Sequence, residues 1–243
     1  MKACSLINLG LVSYAEALTL QRRLATFRAE DRLGDVLLLV EHPPVITLGR
    51  AGRKAHLRVP ESSLATLGVR FFDVERGGDM TYHGPGQLVG YPILNLADHG
   101  RDVHRYLRQL EEVLIVTISS FGITAGRSLG RTGVWVDDRK IASIGIHVGR
   151  WITRHGFALN VDVDLAPFKL IVPCGIQGAK VTSMARELSC PISMREVTAV
   201  LTERFKTEFG VSLLPTSLPE LLSARRRAGM SDKDEAALVG GAR

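Results

Sequence analysis

Cysteine is scarce in this chain: Cys4, Cys174 and Cys190 are the only thiols in 243 residues. No pair of them has the CxxC spacing of a zinc site, and an odd count argues against a disulfide framework. Long apolar runs are also lacking. None approaches the ~18 residues that a membrane span requires, so no span is expected. The opening MKACSLINLGLVSYAEA holds a short apolar run, but Asn8 interrupts it and Glu16 follows, so no secretory leader is expected and the chain is assigned to the cytoplasm. There is no low-complexity linker, no internal repeat, and no RNP1 or zinc-finger pattern. These absences favour one catalytic domain over residues 1–216, with a flexible tail over 217–243, and no nucleic-acid partner.

Charge is present in excess of one sign, with a formal +6 and an isoelectric point near 9.5. Such a balance attracts acidic partners: nucleic acid, an anionic membrane surface or an acidic carrier protein. Composition does not choose among the three. Part of the excess sits in SARRRAG, where a solvated tail is the simpler reading.

Periodicity assigns the elements. Ser13 and Glu16 form a capping box, and Tyr14, Ala17, Leu18, Ala25 and Arg28 recur at helical spacing after it. VLLLV at residues 36 to 40 reads as a buried strand stopped by Pro43 and Pro44, with VITLGR continuing as a second. In DVHRYLRQLEEVLIVTISSFG, Val103, Tyr106, Leu107, Leu110, Val113, Leu114, Thr117 and Phe121 form one stripe of a long helix that Gly122 ends. GVWVDDRKIASIGIHVGRWITRHGFALNV reads as successive antiparallel strands turning at Asp137-Asp138 and Gly149-Arg150. A last helix runs from Ser193 to Gly210. The sum is α+β: a mixed, mainly antiparallel sheet packed by two or three helices.

Three places carry chemistry. RGGDMTYHGPGQ crowds Gly77, Gly78, Gly84 and Gly86 beside Arg76 and His83, so backbone can approach a ligand closely. It joins extended segments, which removes the dinucleotide and Walker readings; an elaborate turn is the alternative. Cys174 stands between Pro173 and Gly175, leaving its sulfur open. A free thiol is largely protonated at neutral pH, so it needs an activator. Lys140 is a candidate because an amine can both stabilise a thiolate and move protons, although taken alone it reads as a solvated hairpin lysine. Backbone N–H groups of Gly77, Gly78 or Gly175 are candidates for holding an oxyanion. Cys4 and Cys190 read as small buried apolar residues. No metal and no cofactor are expected.

RGGDMTYHGPGQLVGYP, KIASIGIHVGRWITRHGFALNV and IVPCGI, in this order, resemble the three hallmark blocks of the lipoyl(octanoyl) transferases, and EHPPVITLGR resembles a further segment. The similarity covers roughly residues 36 to 186. It implies the fold of the lipoate and biotin protein ligases, with a central mixed sheet and a smaller second one. It implies transfer of an octanoyl group from octanoyl-acyl carrier protein to the lysine of a lipoyl domain. The acceptors would be the lipoyl domains of 2-oxoacid dehydrogenase complexes and the glycine cleavage H protein. Carried over residue by residue, Cys174 would bear the acyl thioester and Lys140 would activate it. Acyl-substrate binding would fall to Arg76, Gly77, Gly78, Asp79, Met80, Thr81, Tyr82 and His83, to Ser143, Ile144 and Gly145, and to Gly156, Phe157 and Ala158. An eight-carbon tail would contribute about 5 kcal/mol at ~0.8 kcal/mol per buried methylene. Two alternatives stand beside this: an ATP-dependent lipoate or biotin ligase, which needs no thiol, and a non-catalytic acyl-carrier binding protein. Neither CGSCW nor QACRG surrounds Cys174, which disfavours a cysteine hydrolase.

Overall fold

The computed structural model describes residues 1–176 and 178–226. Its elements, in order, are β1 (Lys2–Leu11), α1 (Tyr14–Ala29), β2 (Asp35–Glu41), β3 (Val45–Leu48), α2 (Glu61–Leu64), β4 (Arg70–Asp73), β5 (Met80–His83), β6 (Gln87–Ile93) and α3 (Val103–Ser119). There follow β7 (Gly126–Ser128), β8 (Arg131–Val136), β9 (Arg139–Gly149), β10 (Ile152–Asn160), β11 (Lys180–Val181), α4 (Met184–Leu188), α5 (Met194–Phe209), β12 (Val211–Pro215) and α6 (Leu218–Arg226).

The large sheet runs β12-β1-β2-β6-β10-β9-β8-β7, with β11 added parallel to β9. Only the β12-β1-β2 pairings and that of β11 are parallel, so the sheet is mixed and mainly antiparallel, as expected. The second sheet, β4-β3-β5, is small.

Strand β2 shows why VLLLV must lie inside. Leu37 and Leu39 face the cluster formed with α3 and α5, while Val36, Leu38 and Val40 face α1. Side chains alternate along a strand, so a strand covered on both faces is apolar at every position. Leu37→Ala would cost about 2–5 kcal/mol. Helix α1 carries the reciprocal Ser13–Glu16 capping box. Arg28, on the buried side of α1, is tolerated because Asp31, Asp35 and Asp98 surround its guanidinium.

Several expectations are amended. β1 and β12 lie outside the sequence-based assignment; they pair parallel with each other across the whole chain, and local patterning does not report such a partner. The second hairpin turns on Arg150 and Trp151, both at positive φ, one residue beyond the expected pair. RGGDMTYHGPGQ is not one loop, since Met80–His83 forms the buried strand β5. Cys190 is exposed, while Cys4 is buried as expected. Part of the expected tail, Leu218–Arg226, is helical with Leu221 buried. Residues 227–243 lie outside the described residues.

Candidate active site

Lys140 and Cys174, thirty-four residues apart, meet: Lys140 Nζ donates to Cys174 Sγ at 3.0 Å. Each is placed by its local backbone. Lys140 is the second residue of β9, and Thr182 N–H donates to its carbonyl at 2.9 Å. The register of β8 against β9 shifts between Val134 and Trp135, and Gly133 precedes the shift at φ +113°. A Cβ there would stand 2.7 Å from Lys140 Cε, so only glycine leaves room for the amine. Lys140 is buried, with its Nζ 5.3 Å from the centre of the Trp135 ring. Cys174 sits in the short 3₁₀ turn Pro173–Gly175 with φ 54° and ψ 22°, a left-handed conformation that cysteine rarely takes. The turn projects the thiol while Gly175 N–H closes onto Val172 O at 3.1 Å. Strain of this kind concentrates at functional positions.

Cys174 forms part of the wall of a narrow cavity of ≈ 40 Å³ between the two sheets. From the expected set, Arg76, Gly78, Asp79, Met80, Thr81, His83, Ser143, Ile144, Gly145, Gly156, Phe157 and Ala158 line it. Gly77 and Tyr82 do not. Gly77 N–H instead ties the segment to β9 through Ile146 O at 2.8 Å, and Tyr82 turns away to pack edge-on against Phe168. Both consequences follow from strand alternation and from the sharp bend at Gly78, φ +80°. Of the three N–H groups considered for an oxyanion, Gly77 and Gly175 already donate within the backbone. Only that of Gly78 makes no hydrogen bond among the described residues.

Arg76 is buried with no carboxylate in hydrogen-bond range among the described residues; it donates to Thr47 O and Oγ1 at 2.8 Å and to Gly77 O at 3.0 Å. Burial holds its guanidinium below the usual arginine range. Its hydrogen bonds to Thr47 and Gly77 fix the side chain beside the cavity.

The inner wall was not foreseen in full. Tyr14, Val89, Tyr91 and His155 also line the cavity. His42 supports them, with Nε2 2.7 Å from Tyr91 Oη, and Tyr14 stacks on His83 at 5.9 Å between ring centroids. Burial pushes His42 down to about 4, and His83 and His155 to about 3. These imidazoles stay neutral at physiological pH. Neither ring nitrogen of His155 has a hydrogen-bond partner among the described residues. The signals were present in EHPP and RHGF, but a histidine in a sequence does not disclose its burial.

Beyond Pro173 the thiol turn borders a wide open groove carrying Arg58, Arg139, Lys169, Lys180 and Arg186 against Asp162 and Asp164. Of these, Arg139 is paired with Asp137 and Glu187, and Lys180 with Asp138. No group of three or more metal-ligating side chains occurs among the described residues, and no helix among them is long and apolar enough to cross a membrane.

Comparison with known proteins adds the following. The lipoyl protein ligase A/B catalytic domain matches residues 13–206. An octanoyltransferase of Solibacter usitatus is 51% identical over 215 residues, covering 88% of this chain and 97% of the relative. One from Geobacter sulfurreducens is 51% identical over 200 residues, covering 82% of each. Among solved structures, lipoate-protein ligase A bound with ATP superposes with a TM-score of 0.75 at 16% identity, covering 98% of this chain and all of the other. A bi-partite lipoate protein ligase from Thermoplasma acidophilum gives 0.71 at 16%, covering 98% of each. At such identity the structures speak to the fold alone.

Proposed function

Since the chain belongs to the lipoyl protein ligase A/B catalytic-domain family, within its octanoyltransferase branch, we propose that it moves octanoyl groups through a thioester on Cys174. The donor is octanoyl-acyl carrier protein and the acceptor is the lysine of a lipoyl domain. The observation that carries this reading is the 3.0 Å contact between a buried amine and a thiol that opens on the cavity.

In the first half-reaction the Cys174 thiolate attacks the incoming thioester, and the tetrahedral oxyanion lies within the field of Arg76 and the free Gly78 N–H. The carrier's thiol leaves with a proton from Lys140. The acyl chain enters the cavity over Gly145, Gly156 and Ala158, where small side chains leave a narrow path. In the second half-reaction the acceptor amine attacks the enzyme thioester, and the now neutral Lys140 takes back a proton as Cys174 departs. A thioester is already activated, so the transfer runs without nucleotide. The basic groove beside Pro173 suits an acidic carrier protein.

The test is a reconstituted transfer from octanoyl-carrier to a lipoyl domain with no nucleotide present. Octanoyl-lysine should form, and activity should vanish in Cys174→Ala. Product that requires ATP and persists in Cys174→Ala would select the ligase reading instead.

A further inference from the structure

The two half-reactions just described leave one proton without a place, and this inference rests on that reading. In the first, the Cys174 sulfur bonds the acyl carbon, the carrier's C–S bond breaks, and Lys140 gives one proton to the departing thiolate. The dyad then holds an acyl thioester and a neutral amine. The acceptor lysine arrives as an ammonium with three protons on nitrogen, whereas the amide product keeps one. Two must leave. Lys140 takes one as Cys174 departs, which restores the starting state of the dyad. The other, which must go before the nitrogen has a lone pair to attack with, needs a second base.

A histidine stands at the thiol turn. His56 ends the 3₁₀ turn Lys54–His56, and its carbonyl accepts Val172 N–H at 2.7 Å, which pins it to the segment leading into Cys174. Its Nδ1 lies 2.5 Å from Asp79 Oδ2, and the other oxygen of Asp79 accepts Met80 N–H at 2.6 Å, so the carboxylate is fixed. The ring lies against the residue that follows the nucleophile: a Cβ on Gly175 would stand 3.4 Å from His56 Cε1 and 2.6 Å from Asp79 Oδ2. The side chain of Asp79 is 7% exposed and that of His56 23%, so the pair has a buried anchor and a reachable ring. A carboxylate accepting from Nδ1–H leaves Nε2 with the free lone pair. The surrounding charged groups are Asp79 itself, the Cys174–Lys140 pair beyond Gly175, and Arg53, Lys54 and Arg58 on its own segment, with Lys54 engaged by Glu61 at 3.0 Å.

We propose that His56, held by Asp79, is the base that takes the first proton from the acceptor ammonium at the Cys174 thioester. Nε2 accepts that proton and releases it to water, which reaches the partly exposed side chain. His56 thus serves the second half-reaction, while Lys140 serves both.

The experiment separates the half-reactions. Wild type, His56→Ala and His56→Gln are each loaded with octanoyl-carrier, and loading is followed by intact mass. The loaded enzymes are then mixed with lipoyl domain, and transfer is timed between pH 7 and 9. Loading should match wild type in both variants, while transfer falls about 10²-fold, the ordinary contribution of a general base. Wild-type transfer should be nearly flat over this range. In the variants it should climb about tenfold per pH unit, following the free fraction of an amine that titrates near ~10.4. Imidazole added to the buffer should restore transfer in His56→Ala. Wild-type transfer rates and pH slope in the variants would overturn the assignment, as would an equal loss in both half-reactions, which marks a structural role. Failure of the wild type itself to hold an octanoyl group on Cys174 would instead remove the thioester reading beneath it.

Discussion

Histidine stands at the thiol turn and on the cavity wall in opposite conditions. At the thiol turn, His56 keeps 23% of its side-chain surface and a carboxylate partner. At the inner wall, His155 pairs in register with Ile146, six residues beyond Lys140 on β9, and is shut away with His42 and His83. Burial pushes those three down to between about 3 and about 4. The same side chain is thus partly exposed and bound to a carboxylate at the thiol turn, and is held neutral on the cavity wall. The difference is desolvation and partner, not residue type.

The comparison can be broken most severely at the thiol turn. Cys174→Ala should reduce transfer to background with the fold retained, whereas Cys4→Ala and the exposed Cys190→Ala should remain active. A dead Cys190→Ala with an active Cys174→Ala would move the chemistry to another place. Next in size, Lys140→Met keeps the stem beside Gly133 and Trp135 but removes the amine. Iodoacetamide alkylation of Cys174 at neutral pH should slow on the order of tenfold. Substitution of His83 by Gln should leave alkylation unchanged and weaken acyl loading, because that ring lines the cavity without touching the dyad.

The cavity's rim offers a finer discrimination between adjacent glycines. Gly78→Val forces a β-branched residue to φ +80°, at about 1–2 kcal/mol of backbone strain, and should impair loading. Gly77→Ala places its Cβ 3.5 Å from the nearest atom, in ordinary contact, and should be nearly silent. Equal effects would reduce the segment to a structural turn.

The smallest effect concerns pH and stability. The imidazoles of His42, His83 and His155 titrate at about 4 or lower in the folded protein against 6.5 unfolded, so below 6.5 the unfolded chain binds more protons. Stability from these groups is complete above pH 6.5 and declines as pH falls toward 4. The thermal midpoint should therefore drop between pH 7 and pH 5, and His42→Phe should flatten that slope. A midpoint that rises on acidification would contradict the neutral inner wall.

Much of this site is legible in the sequence, for a physical reason. The capping box at Ser13, the open Pro-Cys-Gly setting and the hairpin that carries Lys140 each reflect a local requirement, and local requirements leave local patterns. The long helix α3 and the fully apolar β2 are visible for the same reason. The parallel pairing of β1 with β12 is not, because its partner lies two hundred residues away. Nor is the meeting of His56 with Asp79, which joins the turn after β3 to the residue before β5. Cys190 was misjudged because a hydrophobic side chain is no proof of burial.

The measurement that bears most directly on the central claim is peptide mapping by mass after the wild-type protein meets octanoyl-carrier without acceptor. One octanoyl group should be found on Cys174, labile to a thiol, and it should disappear as the lipoyl domain's lysine gains it. Transfer to the lipoyl domain in full, with no acyl group ever detectable on Cys174 in rapidly quenched samples and with Cys174→Ala still active, would contradict the account.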